Sequence, residues 1–259
     1  MKPVDLTKLP SVTAELATHA AEYDRTGAFP HPSIRAVHEA GLLTAPVGAR
    51  FGGPGLGTAD LTRILLALGK GDPSVALIAS MTQLPHLLQA LRPSWPTTLY
   101  RRILTESATS PTLLNTLRVE PDLGSPSRGG RPATTARRTP KGWSLTGHKR
   151  FTTGAAGLTY LLVWAATDEP EPRVGNFVVP AEATGIEVIP AWNQLGLRAS
   201  GSHDVVLTEA PAIEALDLLP IAQATHDNLA GGVLQLPLAA IYVGVARAAQ
   251  DWFHRFAHQ

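Results

Sequence analysis

In the first 110 residues or so, apolar positions recur every three to four places, the spacing of a helix face. "SVTAELATHAAEYD" carries Val12 and Leu16 on one stripe with His19 or Ala20, behind Ser11 as the expected N-cap. "HPSIRAVHEAGLL" opens with Pro32 near a helix start and stops at Gly41. "TADLTRILLALGKGDPS" puts Leu61, Ile64, Leu65 and Leu68 on one face, with Thr58 as N-cap. "PSVALIASMTQLPHLLQALR" is apolar nearly all round, as a buried helix is, and "PTTLYRRILTE" makes a further short helix. From about Thr112 to Glu209 the period shortens to that of strands: "ATTARRT", "GWSLTGHKRFTT", "TYLLVWAAT", "RVGNFVVP", "GIEVIP" and "HDVVLTEA" are divided by Gly and Pro clusters. The helical period returns in "GGVLQLPLAAIYVGVARAAQDWFHRFAHQ", which no Gly, Asn or Pro closes. The pattern predicts an α+β fold. It has an N-terminal helical domain over 1–110, an antiparallel β-barrel or sandwich over 111–219, and a helix over 220–259 that begins a bundle. No later segment supplies partners for that last helix, so its stripe of Leu234, Leu238, Ile241, Val245 and Ala248 is expected to drive self-association. A monodisperse monomer in light scattering contradicts this expectation.

Composition narrows the class. Hydrophobic residues make up 44% of the 259 and charged residues 17%, so a packed core is expected and disorder is not. A formal net charge of +1 argues against broad attraction to nucleic acid or an anionic membrane. The chain has no cysteine, which excludes disulfides, thiolate nucleophiles and cysteine metal sites and is compatible with a cytoplasmic setting. The first residues lack a signal-peptide core, and no run approaches the ~18 apolar residues of a membrane span.

Standard chemical motifs are absent: no phosphate loop, nucleophile elbow or zinc-binding helix pattern occurs. "RFGGPGLGT" is glycine-rich but follows a helix, so it reads as a helix-to-helix loop needing positive φ angles, with dinucleotide binding as the weaker alternative. Nine histidines are scattered; His254 and His258 share a helix face but lack a third ligand nearby, and His203 reads as a turn or cap residue. "VEPDLGSPSRGG" offers turns whose amides and hydroxyls suit either a strand connection or a polar ring edge. In "GHKRFTTGAAG", strand alternation puts Phe151 and Thr153 on one face and Thr152 on the other. That pair suits a flat heteroaromatic cofactor, and equally suits a core Phe beside a strand-forming Thr. Lys149 and Arg150 read as solvated strand-end charges.

Five separated stretches, taken in order, resemble the acyl-CoA dehydrogenase family over essentially the whole chain: "FGGPGLGTADLTRILLALGKGDPSVAL", "VEPDLGSP", "GWSLTGHKRFTTGA", "GIEVIPAWNQLGLRASGSHDVVL" and "GVARAAQDWFHRFAHQ". The resemblance implies FAD, with FMN as alternative, bound between the β domain and helices in a homo-oligomer, a tetramer in many members. It implies that Phe151 covers the flavin and Thr153 meets its N5, with Thr152 between them. Ser125 then touches cofactor or substrate, and backbone groups of Arg118 and Val119 meet the pyrimidine edge. Val119 departs from the Thr or Ser common there, which removes one side-chain hydrogen bond. The implied activity is α,β-dehydrogenation of an acyl-CoA with hydride transfer to flavin N5. The alternative is the family's oxygen-using branch acting on a small heterocycle or amine. A third possibility is a non-catalytic subunit, because the catalytic carboxylate of family dehydrogenases is expected beyond residue 259. The expected partners are a small-molecule substrate and an electron acceptor or oxygen, with no metal, nucleic acid or membrane.

Overall fold

A computed structural model describes residues 1–123, 131–223 and 228–258, with 222 and 228–234 described by backbone alone. Five helices come first: α1 (Leu9–Thr26), α2 (His31–Glu39), α3 (Thr58–Gly71), α4 (Pro73–Leu91) and α5 (Thr97–Glu106). Leu61, Ile64, Leu65 and Leu68 of α3 are all fully buried, as their spacing predicts. α4 starts where the Asp72 carboxylate accepts the backbone N–H groups of Ser74 and Val75, satisfying two donors that a helix start leaves free. The expected caps move by a residue or two: Gly57, not Thr58, precedes α3, and Ser11 lies inside the first turn of α1. The "RFGGPGLGT" segment is a loop in which Gly52 and Gly55 take positive φ.

The strands are β1 (Leu114–Leu117), β2 (Thr135–Thr139), β3 (Gly142–Thr152), β4 (Tyr160–Thr167), β5 (Arg173–Pro180), β6 (Ile186–Ile189), β7 (His203–Ala212) and β8 (Glu214–Pro220). They form one sheet in the order β6-β7-β3-β2-β4-β5-β8, with β1 added beside β4. Most pairings are antiparallel, but β1 and β2 both run parallel to β4, so the sheet is mixed and not purely antiparallel. The β2–β3 hairpin separates β1 from β4 in sequence, supplying the long crossover that a parallel pair requires. The sheet curls so that the Trp143 and Phe177 rings, from β3 and β5, meet edge-on at 5.2 Å inside it. On the outer face, Leu99 and Ile103 of α5 pack on Leu114, Leu162, Val178 and Leu216.

The last helix, α6 (Asn228–Ala257), is not unaccompanied: it packs on α3 and α4. Gly69 and Gly244 let the backbones meet, since a Cβ at Gly244 would stand 2.3 Å from the Leu66 carbonyl oxygen. Ile241 of the expected exposed stripe is buried in this contact. Of the rest of that stripe, Leu238 and Ala248 are partly buried, Val245 stays exposed, and the Leu234 side chain lies outside the described residues; Tyr242, Trp252, Phe253 and Phe256 are exposed as well. Among the described residues no helix is long and apolar enough to cross a membrane.

Candidate functional site

The end of β3 departs from ideal strand geometry where the sequence concentrates its chemistry. The β3–β7 register shifts between Lys149 and Thr152, and Phe151 sits in the left-handed region at φ 54°. For a bulky side chain that conformation costs about 1–2 kcal/mol. The bulge overturns the alternation expected at Phe151 and Thr153: Phe151 is 49% exposed, while Thr152 and Thr153 are both buried. The Trp192 ring stands edge-on to Phe151 at 6.3 Å, and the Arg150 guanidinium lies 5.1 Å from its centroid. Trp192 donates its indole N–H to the carbonyl of Leu197, a second left-handed residue at φ 55°.

Below Phe151 lies a chain of buried hydroxyls. Thr153 Oγ1 is 3.0 Å from Ser202 Oγ, which is 2.9 Å from Ser200 Oγ. The Gly154 N–H donates to the Ser200 carbonyl, and Asn115 donates its amide to the Thr153 carbonyl. Thr152 Oγ1 is buried without a hydrogen-bond partner. His203 behaves as a turn residue: its Nδ1 accepts the backbone N–H groups of Ala191 and Trp192. Among the described residues no group of three His, Asp or Glu could hold a metal ion.

Lys149 overturns the reading of a solvated strand-end charge. It is fully buried, and its ammonium donates to Glu120 Oε1 at 2.5 Å and to the Trp164 carbonyl at 2.6 Å. Glu120 also accepts the backbone N–H groups of Ala133 and Thr134 and the Thr134 hydroxyl. One carboxylate thus ties Glu120 to Lys149, Ala133 and Thr134 at once. Desolvation lowers the Lys149 pKa to about 8, against the opposing pull of Glu120, with Arg118 adding a like charge. For Glu120, desolvation raises the pKa, but the hydrogen bonds from Lys149 and Thr134 outweigh it and the net shift is downward. Arg150 keeps the reading given to it, half-exposed and 3.6 Å from Asp204.

The Arg118 guanidinium lies 4.2 Å over the Trp164 ring, and the Val119 carbonyl accepts the N–H of Arg150. The strand end therefore holds Phe151, Thr152, Thr153, Arg118 and Val119 in one neighbourhood; Ser125 lies outside the described residues. Sequence reasoning missed Ser200, Ser202, Asn115 and Trp192. The hydroxyl-rich "RASGS" was the only signal for the two serines, and it carried no period. The arrangement fits a flavin: an exposed ring at the surface, a buried orphan hydroxyl at Thr152, and a second hydroxyl at Thr153 with capacity beyond its one partner.

Residues 11–90 match the family profile described as acyl-CoA dehydrogenase, N-terminal domain, and residues 118–210 match the middle domain of the same family. The putative acyl-CoA dehydrogenase YdbM of Bacillus subtilis is 31% identical over 98% of this chain and 66% of its own length. The L-evernosamine nitrososynthase of a Micromonospora species is 32% identical over 96% of this chain and 59% of its own. Among solved structures, KijD3 in complex with FMN and dTDP-3-amino-2,3,6-trideoxy-4-keto-3-methyl-D-glucose superposes with a TM-score of 0.82 at 28% identity, covering 96% of this chain and 64% of that one. The chain thus spans 59–66% of the length of these relatives. With both profiles matched in order across most of its residues, the chain belongs to the acyl-CoA dehydrogenase family.

Proposed function

We propose that this chain carries the flavin site of an oxidoreductase acting on a small organic molecule. The observation that carries the reading is the bulged end of β3, where a surface Phe151 and the buried hydroxyls of Thr152 and Thr153 meet. Phe151 would cover the ring, Thr153 would direct its hydroxyl to N5, and Thr152 would offer its unpaired hydroxyl. Backbone groups of Arg118 and Val119 would meet the pyrimidine edge. When bound, the flavin supplies the two-electron acceptor that no side chain provides. The protein's own part is to fix that group, exclude water with Trp192, and keep the Thr153–Ser202–Ser200 hydroxyls ready to shift a proton.

The implied reaction is α,β-dehydrogenation of an acyl-CoA with FAD. Oxygen-dependent attack on a small heterocycle or amine is the second reading, favoured by the likeness to a nitrososynthase and to the FMN complex of KijD3. Two measurements test the proposal. Added FAD or FMN is expected to bind with perturbed flavin absorbance, and Phe151→Ala and Thr153→Ala are each expected to weaken retention roughly tenfold, the equivalent of ~1.4 kcal/mol. Unchanged affinity in both variants removes the site. Acyl-CoA-dependent dye reduction supports dehydrogenation, whereas label from isotopic oxygen gas in the product supports the second reading.

A further inference from the structure

A groove of about 320 Å³ opens between α4 and the outer face of the sheet, at the lower end of the ~300–1,000 Å³ range of small-molecule sites. Its lining is mixed: Met81, Pro85 and Trp95 on the helical side and Leu162 on β4 are apolar, while Gln89, Arg92 and Thr116 are among the polar residues beside them. Three features of that lining bear on what the groove could hold. Arg118 reaches it with its guanidinium stacked over Trp164, and no carboxylate among the described residues forms an ion pair with it. Desolvation alone accounts for the lowering of its pKa, so the cation is held where water does not fully solvate it. Asn176, also in the lining, has a buried Oδ1 without a hydrogen-bond partner. Pro85 lies inside α4 and has no N–H to give the Met81 carbonyl, and both residues line the groove. Asp217 also lines the groove and carries the opposite charge; it accepts the Ser94 hydroxyl and forms no ion pair with Arg118.

Arg118 without a carboxylate partner among the described residues, and the Asn176 Oδ1 without a donor, define a complement. We infer that this groove is a binding site for a small, largely apolar molecule carrying one carboxylate-type anion and one N–H donor. Arg118 is the partner of the anion, and Asn176 is the partner of the donor. The groove shares Arg118 with the proposed flavin neighbourhood, so the inference that its occupant is the molecule oxidised rests on the flavin reading; the binding itself does not.

Calorimetric titration of the flavin-free chain separates these claims, with indole-2-carboxylate as the probe. Indole lacks the anion, and 1-benzothiophene-2-carboxylate lacks the N–H. Indole-2-carboxylate is expected to bind at least tenfold more tightly than either comparator. Arg118→Met is expected to erase its advantage over indole, and Arg118→Lys to restore part of it. Asn176→Leu is expected to erase only its advantage over the benzothiophene. Equal affinity of the three ligands, absence of binding, or an unchanged ranking in Arg118→Met overturns the inference. Flavin absorbance, read separately on the same preparations, reports on the flavin site: lost flavin with the ligand ranking intact overturns that reading and leaves the groove standing.

Discussion

Lys149→Met is expected to lower the unfolding free energy by about 3–5 kcal/mol, the cost of leaving a buried charge without its partner. The stranded charge is Glu120, whose side chain is 3% exposed and whose remaining donors are three neutral groups. Adding Glu120→Gln to Lys149→Met is expected to recover more than half of that loss, because the second change removes the charge and keeps an acceptor for Thr134. Denaturant titrations of the two variants decide the matter; a loss below ~1 kcal/mol in the single variant would mean the pair is not the fastening described. The pH dependence has a definite sign. The folded protein releases the Lys149 proton near pH 8, whereas the unfolded chain holds it to about 10.5. Across that window the unfolded state binds more protons, so this group taken alone makes stability rise with pH. The slope is expected to vanish in Lys149→Met. Glu120, whose pKa is lowered, contributes stability that is present above its ordinary value of 4.5 and lost as pH falls through the folded value.

The second large effect lies at the helix crossing. In Gly244→Ala the new methyl would stand 2.3 Å from the Leu66 carbonyl oxygen and 2.7 Å from the Lys70 backbone nitrogen. Both obstacles are backbone, so neither can swing aside as a flexible side chain would. The expected result is a loss of about 3 kcal/mol, the upper part of the usual overpacking range. It should be accompanied by loss of the Lys70–Asp251 ion pair at 2.5 Å and release of Ile241 from α3. Amide exchange should quicken in α6 and α3 and stay slow in β4 and β5. Unaltered protection along α6 would show that the close approach is not needed.

Much of the architecture was legible because it rests on periods. The fully buried Leu61, Ile64, Leu65 and Leu68 follow a helical spacing that survives packing. The strands from Thr135 to Ala212 likewise announced themselves through β-branched runs between turn residues. Three features were not legible, each for a physical reason. A buried Lys149 looks in sequence like any lysine at a strand end; only the distant Glu120 carboxylate makes its burial tolerable. The bulge at Phe151 shifts the side-chain alternation through one left-handed residue, and no local pattern marks it. The partner of α6 is set by two glycines about 175 residues apart, and residues that act by lacking a side chain leave no hydrophobic signal. In the candidate site, Phe151, Thr152, Thr153, Arg118 and Val119 could be named from the chain, whereas the Ser200–Ser202 support needed the fold.

The α3–α6 contact also sets a timetable. During synthesis α3 leaves the ribosome about 160 residues before the first residue of α6, an interval of roughly 8–30 s at 5–20 residues per second. Throughout that interval Gly69 and the carbonyl of Leu66 face no helix, and the whole sheet is made in between. α6 therefore joins the helical layer late, and must find a narrow backbone notch after the whole sheet has been synthesised. A nascent chain paused before α6 would present that notch to solvent, the kind of surface on which a chaperone could act before the helix arrives.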